Sequence, residues 1–212
     1  MKTIALFLHQ PYCSVQSNNG IIKALSPHYS FKIFTRHDLE DDFFDDVDCV
    51  CFPGGLGDAS SFEYLTAAHQ LRIKQFVKQG GKYLGICMGA YWAGSEYFDI
   101  LDDVDAVQYI TQPGTDTKRP HAKALTVIWQ EQTEKMFFYD GCALVGNGSV
   151  ETIAKYSNGD AMAIIQNNIG LIGCHPESER HWYESYSWMK PHWHLGKHHK
   201  LLLDFVDKLV YK

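Results

Sequence analysis

The sequence has no apolar run approaching the roughly 18 residues that a membrane span needs, and it has no internal repeat, low-complexity tract or linker. We therefore expect one domain over residues 1–212 and no membrane partner. Positive charge is also scarce: 19 Lys and Arg residues stand against 25 Asp and Glu residues, and the net charge of −6 argues against nucleic acid as a main partner. With 45% hydrophobic and 21% charged residues, the composition excludes a disordered chain.

The cysteines include no C-x-x-C pair, so neither a zinc ribbon nor a thioredoxin-type site is expected. They stand at positions 13, 49, 51, 87, 142 and 174. The N-terminal apolar run is short and leads into His9-Gln10-Pro11 without a small-residue cleavage site. This favours a first β-strand over a signal peptide. We accordingly expect free thiols and a cytoplasmic location.

Strand and helix signals alternate in the first half of the chain. Short apolar segments at 4–8, 31–34, 47–52 and 83–87 are separated by helix-like segments at 21–25, 67–78 and 88–97. The second half is richer in strand signals, at 125–129, 136–139, 152–156, 161–166 and 170–174, and an amphipathic helix is predicted at 201–210. Short apolar strands separated by helices predict an α/β fold with a parallel sheet covered on both faces.

The segment around Cys87 has the pattern of a nucleophile elbow. A predicted strand leads into Gly85-Ile86-Cys87-Met88-Gly89, and a predicted helix follows. The glycines allow the close passage of the chain that such a sharp turn requires. The start of the helix favours the thiolate, which is the attacking form, and the N–H of Met88 is placed where an oxyanion would develop.

A base and a group to orient it follow 88 residues later, in Cys174-His175-Pro176-Glu177. In an extended chain, His175 and Glu177 point to the same side, and Pro176 discourages helix at His175. Both segments end predicted parallel strands, and such strand ends gather at one edge of a sheet. Cys87, His175 and Glu177 are therefore predicted to form a catalytic triad of nucleophile, base and orienting carboxylate.

These segments resemble the class I glutamine amidotransferase-like superfamily. Within it, the sequence is most similar to the amidotransferase-like N-terminal domain of biotin–protein ligases and its stand-alone bacterial relatives. The resemblance rests on Phe52-Pro53-Gly54-Gly55, on Gly80 to Tyr91 and on Gly173 to Glu177. It implies a flavodoxin-like, mostly parallel sheet with helices on both faces, the same three catalytic residues, and a second oxyanion N–H from the loop at Gly54 and Gly55.

One position departs from the family pattern. Glutamine-hydrolysing members usually carry Gln four residues after the nucleophile, where this chain has Tyr91. We therefore expect a thiol-dependent amide hydrolase or amidotransferase-like enzyme with little glutaminase activity. A non-catalytic binding or regulatory module and a γ-glutamyl hydrolase or peptidase-like enzyme are the alternatives. The expected substrate is a small amide or γ-glutamyl compound, any acceptor or synthetase would be a separate chain, and neither cofactor nor metal is expected.

Several further residues lie near the expected site. The segment 181–199 is rich in histidine and aromatic residues. We interpret it as a segment that packs against the body of the protein, a flap over the site or a patch for a partner, and we favour each of these over a metal site. The residues that could line a pocket are Cys13, Asp58, Ser60, Ser61, Tyr91 and Glu96. Cys174 should face the core, because neighbouring strand residues point to opposite faces.

Overall fold

The computed structural model of the protein describes residues 1–8, 15–40, 42–55 and 62–211. The strands are β1 (Lys2–Phe7), β2 (Tyr29–Phe34), β3 (Cys49–Phe52), β4 (Lys82–Ile86), β5 (Val104–Gln108), β6 (Lys123–Trp129), β7 (Gln132–Phe138), β8 (Cys142–Gly146), β9 (Glu151–Tyr156), β10 (Ala161–Gln166) and β11 (Ile169–Ile172). The described α-helices are α1 (Val15–Leu25), α2 (Ala67–Lys78), α3 (Met88–Tyr91), α4 (Arg180–Glu184) and α5 (Lys197–Val210). Short 3₁₀ helices cover Tyr109–Thr111 and Lys190–His192.

One half of the sheet is parallel and has the strand order β2-β1-β3-β4-β11. Successive residues of its strands enter different cores. Ile4 and Leu6 of β1 pack with α1 and α5 on one face, and Ala5 and Phe7 pack with α2 on the other. A strand buried on both faces needs a continuous apolar sequence, which β3 has in Cys49–Phe52. The predicted α/β fold with helices on both faces is confirmed.

The sheet is more mixed than the expected mostly parallel arrangement. Beyond β11 it continues through β10, β9, β6 and β7, and every pairing in that half is antiparallel. β5 and β8 form a further antiparallel pair beside β10, and neither was predicted. Tight turns at Asn158-Gly159 and Asn167-Asn168 lead from β9 through β10 into β11. Such short connections join antiparallel strands, whereas a parallel pair needs a long crossover.

The predicted helices are present, but several limits differ: α1 begins at Val15 and α5 at Lys197, before the predicted residues 21 and 201, and α4 was not predicted. α2 has the predicted limits and is capped by the Thr66 side chain, which accepts from the N–H of His69. α3 ends at Tyr91 rather than at residue 97, and turns follow it. α5 buries Leu202, Phe205 and Leu209 on one side. None of the helices in the described ranges is long and apolar enough to cross a membrane.

The register of β4 and β11 decides where the predicted site residues lie. The two strands are parallel neighbours, and Ile86 is paired with Ile172, the last residue of each strand. Cys87 follows Ile86 directly, and its N–H donates to the carbonyl of Ile172 at 2.8 Å. His175 follows three residues after Ile172. Both side chains are therefore delivered to the same edge of the sheet, at the carboxyl ends of its central strands.

Candidate active site

Cys87 has the strained backbone of a nucleophile elbow. Its φ of 49° and ψ of −104° lie in a region that non-glycine residues rarely occupy. Hydrogen bonds from Ala90 and Tyr91 to its carbonyl hold the turn, together with the bond from its own N–H to Ile172. The thiol is 6% exposed. It lies next to the N–H of Met88 at the first position of α3, where a helix has no internal acceptor for that group.

Gly85 and Gly89 are needed for steric reasons. A Cβ on Gly85 would lie 2.4 Å from the carbonyl oxygen of Gly89, and a Cβ on Gly89 would lie 2.0 Å from that of Phe52. Both contacts are with backbone, which cannot move aside cheaply. The two glycines therefore allow β3, β4 and α3 to pack closely enough to form the elbow.

His175 and Glu177 are joined by a tight turn rather than by the extended chain that the sequence suggested. The N–H of Ser178 donates to the carbonyl of His175, which closes a β-turn with Pro176 at its second position. Nδ1 of His175 lies 2.8 Å from Oε1 of Glu177. The predicted contact between His175 and Glu177 is present, and the turn, rather than an extended chain, brings the two side chains together.

The His175 ring is fixed on several sides. Its backbone N–H donates to the carbonyl of Phe137 at the end of β7. The rings of Phe137 and Trp182 pack edge-on against the imidazole, with centroid distances of 5.8 and 5.4 Å. Because Nδ1 is used by Glu177, Nε2 is the ring atom left for a thiol. Cys87 borders the same groove as His175, and a Cβ on Gly54 would lie within 3.5 Å of both side chains. The thiol itself donates to the carbonyl of Tyr139 at 3.9 Å.

Opposing electrostatic effects act on the buried imidazole. Burial lowers the pKa of His175, while the charge of Glu177 and the neighbouring Cys87 raise it, and the balance raises the pKa to about 10. His175 is 5% exposed and Glu177 is fully buried, so solvent screens their attraction little. The arrangement therefore favours an imidazolium beside Cys87, which is the form that stabilises a thiolate.

Ser17 on α1 connects two parts of the site, although no sequence motif marks it as a site residue. Its Oγ donates to Oε1 of Glu177 at 2.7 Å and accepts the N–H of Gly54 at 3.1 Å. The Gly54 N–H therefore already has an acceptor, which argues against Gly54 as the oxyanion donor of the loop at Gly54 and Gly55. The same role for Gly55 stays a prediction. A Cβ on Gly54 would lie 2.4 Å from Cε1 of His175, so only glycine lets this loop pass over the ring.

A cleft of about 630 Å³ opens on one side of Cys87. Its wall includes Met88 and Tyr91, whose hydroxyl donates to the carbonyl of Asp140. Burial raises the pKa of Tyr91 well above its ordinary value, so this phenol stays neutral. Three carboxylates line the cleft, and its described lining includes no Lys, Arg or His; the acidic residues are Glu96, Asp105 and Asp140. We call this space the acidic cleft.

A second, smaller groove of about 340 Å³ lies on the His175 side. It shares Gly55, Cys87 and Tyr139 with the acidic cleft. Aromatic rings dominate its wall, and its described lining contains no carboxylate, Lys or Arg; the remaining residues are Gln16, Ala122, Phe137, His175, His181, Trp182, Ser185 and Tyr186. We call this space the aromatic groove.

The histidine-rich segment forms a side wall of the site. Trp182 and Tyr183 pack with Phe137 of β7, and Tyr183 and His194 contact each other edge-on. His194 and His199 each place a ring nitrogen 3.1 Å from the carbonyl of Ser178, which follows the turn of His175 and Glu177 directly. Within the described ranges, no three His, Cys, Asp or Glu side chains are grouped as metal ligands.

The other sequence predictions have mixed outcomes. Glu96 lines the acidic cleft, as suggested. Cys174 is fully buried, as expected for a core residue, and burial raises the pKa of its thiol. The suggestions for Cys13, Asp58, Ser60 and Ser61 lie outside the described residues.

Part of the chain matches a known protein family in sequence. Residues 12–107 match the family described as biotin-protein ligase, N terminal. The matched segment contains Ser17, the Gly54-Gly55 loop and the elbow at Cys87, and it ends before His175. No curated protein matches the chain in sequence.

Solved structures show the relationship of the whole fold. A glutamine amidotransferase from Thermotoga maritima is similar with a TM-score of 0.69 at 12% identity, covering 100% of this chain and 99% of that one. PurLQS from the same organism has a TM-score of 0.66 at 14% identity, and the match covers 99% of this chain and 100% of that one. A glutamine amidotransferase from Methylobacillus flagellatus has a TM-score of 0.59 at 12% identity, and the match covers 90% of this chain and 76% of that one. At these identities the similarity establishes the fold.

Proposed function

The chain has a class I glutamine amidotransferase-like fold and is related over residues 12–107 to the N-terminal domain of biotin–protein ligases, and on this basis we propose that it is a thiol-dependent amide hydrolase or acyltransferase. Cys87 is the nucleophile, His175 the base and Glu177 the group that orients His175. The observation that carries the proposal is the buried imidazole of His175, whose Nδ1 lies 2.8 Å from Oε1 of Glu177 and which borders the same groove as Cys87.

The proposed reaction has two stages. The thiolate of Cys87 attacks the amide carbonyl carbon, and the N–H of Met88 donates to the oxygen that becomes negative. His175 then gives its proton to the leaving nitrogen as the C–N bond breaks, which leaves a thioester on Cys87. In the second stage His175 takes a proton from water or an acceptor amine, the thioester is cleaved and the thiol is restored. Proton transfer by a positioned histidine contributes about 10²–10⁴-fold in rate.

Free glutamine is a poor candidate substrate on this site. Tyr91 occupies the position where glutamine-hydrolysing relatives carry Gln, and it faces the acidic cleft beside Cys87. Glutamine and γ-glutamyl compounds carry an α-carboxylate beside an α-ammonium group. The acidic side chains of the cleft would attract the ammonium but repel the carboxylate, which finds no Lys, Arg or His among the residues described in the lining. An amide whose acyl group carries no carboxylate fits the cleft better. This disfavours the γ-glutamyl hydrolase alternative.

A second candidate function is a non-catalytic binding module on the same fold. The observation that favours it is burial: Cys87 is only 6% and His175 only 5% exposed, so a substrate must reach them through the two openings that border the thiol. The two candidates differ in thiol chemistry. An enzyme requires a reactive Cys87, and a binding module does not.

Thiol labelling followed by amide turnover tests the proposal. Iodoacetamide should modify Cys87 faster than the other five cysteines, as read by peptide mass mapping. Burial raises the pKa of Cys49, Cys51, Cys142 and Cys174, which makes these four thiols slow internal controls. Cys87→Ser should abolish amide hydrolysis and leave the thermal midpoint almost unchanged. Equal labelling of all thiols, with no turnover of any amide, would favour the binding module.

A further inference from the structure

Cys87 lies where two cavities of different chemistry meet. The acidic cleft and the aromatic groove both border its thiol, and they share only Gly55, Cys87 and Tyr139 among the described residues that line them. An amide attacked at this sulfur has an acyl part and an amine part on opposite sides of the carbonyl carbon. The two parts therefore need two spaces, and the site provides two.

The position of His175 decides which part enters which space. His175 lines the aromatic groove and is not part of the lining of the acidic cleft. The leaving nitrogen must come within hydrogen-bond reach of the group that protonates it. The amine part consequently lies on the His175 side, in the aromatic groove, and the acyl part lies in the acidic cleft.

The walls of the groove define the kind of amine that fits. Phe137 and Trp182 form its inner side next to His175, and Tyr139 and the half-buried Tyr186 line it further out. Ammonia would fill little of about 340 Å³, whereas an aromatic ring would replace water against these side chains. Aromatic pairs also gain from edge-to-face or offset contacts beyond the area they bury.

We propose that the substrates are N-substituted amides whose amine part carries an aromatic ring and whose acyl part is neutral or cationic. This inference rests on the proposed function, since it assigns the two cavities to the parts of the substrate. The balanced reaction is amide plus water giving a carboxylic acid and an arylalkylamine. The bond from carbonyl carbon to nitrogen breaks, one bond from carbon to a water oxygen forms, and His175 carries the proton to the amine.

A pair of amides with one acyl group tests the assignment. The 6-aminohexanoyl group supplies a cationic acyl part, and the amine is either ammonia or benzylamine, which have similar basicity and so make comparable leaving groups. The wild-type protein should have the higher kcat/KM for the benzylamide. Tyr186→Ala should reduce that preference about fivefold to tenfold, the size of one aromatic contact. Tyr211→Ala, an exposed tyrosine outside the groove, is the control and should keep the wild-type ratio.

Binding of benzylamine alone separates failure of this inference from failure of the proposed function. Calorimetry above about pH 10, where both benzylamine and the imidazole of His175 are neutral, should detect benzylamine and not methylamine on the wild-type protein and on Cys87→Ser, with weaker binding to Tyr186→Ala. Turnover of both amides at equal kcat/KM, without benzylamine binding, would overturn the groove assignment and leave the enzyme proposal standing. Benzylamine binding without turnover of any amide would overturn the enzyme proposal and, with it, the assignment of a leaving-group site.

Discussion

The Oγ atom of Ser17 donates a hydrogen bond to Oε1 of Glu177, and the two residues are 160 positions apart in the chain. The same oxygen of Glu177 is the partner of His175, and the same Ser17 hydroxyl accepts the N–H of Gly54. Ser17 therefore fixes the carboxylate that fixes the imidazole. Its carboxylate partner is fully buried, and Oε2 of Glu177 has no hydrogen-bond partner among the described residues.

Ser17→Ala should lower kcat for amide hydrolysis by about tenfold with little change in KM, because the hydroxyl orients Glu177 and does not touch substrate. A tenfold effect corresponds to about 1.4 kcal/mol, close to the lower limit of about 1.5 kcal/mol for one hydrogen bond to a charged group. Ser26→Ala, at an exposed position just after α1, is the control and should leave kcat unchanged. Loss of stability without any change in kcat would contradict a positioning role.

Glu177→Gln should lower the pKa of His175. Glu177 and Cys87 together raise that pKa to about 10 against burial, which acts in the opposite direction, so removing the Glu177 charge leaves a smaller upward shift. The imidazole signals in an NMR titration measure the change. Glu179→Gln removes a carboxylate that pairs with Lys23 on the surface and should leave the titration of His175 in place.

The pair also makes stability depend on pH. The folded pKa of His175 is raised above the unfolded value of about 6.5. Its stabilising contribution is therefore complete below about pH 6.5 and is lost as the pH rises through about 10. Urea unfolding should show a smaller loss of stability over this interval in His175→Gln than in the wild type. Parallel curves for the two proteins would show that the imidazole is not charged in the fold.

Two other histidines should make the protein sensitive to acid. Burial lowers the pKa of His194 and of His198 to about 3. The charge of His198 adds to the effect on His194, and the charge of Lys197 adds to the effect on His198. This holds for His198 despite its 3.2 Å contact with Glu134. The unfolded chain binds more protons below about pH 6.5, so stability should fall as the pH drops from there towards 3.

In the double variant His194→Gln with His198→Gln, the free energy of unfolding measured with urea should fall less steeply as the pH drops from about 6.5 towards 3. His28→Gln, at an exposed turn position, is the control and should keep the wild-type slope. If the double variant loses stability with falling pH as steeply as the wild type, groups other than these two histidines cause the acid sensitivity.

Gly89→Ala should prevent folding or cost more than about 4 kcal/mol, because its Cβ would lie 2.0 Å from the backbone oxygen of Phe52. Gly80→Ala is a useful comparison. Its Cβ would meet no atom within 4 Å, so only its φ of 100° opposes the substitution, at about 1–2 kcal/mol. Similar losses in the two variants, measured by chemical denaturation, would show that close packing at the elbow is not what requires glycine.

Local sequence determined much of the fold. α2 and β10 have the predicted limits, since each combines an apolar pattern with clear stop signals. The elbow was also readable, because a glycine on each side of one cysteine between strand and helix has a local steric cause. β5 was missed because it is only half-buried and interrupted by Asp105, so it contains no apolar run. β8 was missed although Cys142–Gly146 begins with a short buried apolar run.

The sequence by itself predicted an α/β chain with the pattern of a nucleophile elbow at Cys87 and a His-x-Glu segment that could serve it, because these features depend on neighbours a few residues apart. Only the tertiary structure decided that Ser17 holds Glu177, that the Gly54 N–H is occupied, and that Cys87 separates an acidic cleft from an aromatic groove. These relationships join side chains from distant strands and helices. They are fixed by the register of the sheet and the packing around it, which no local pattern encodes.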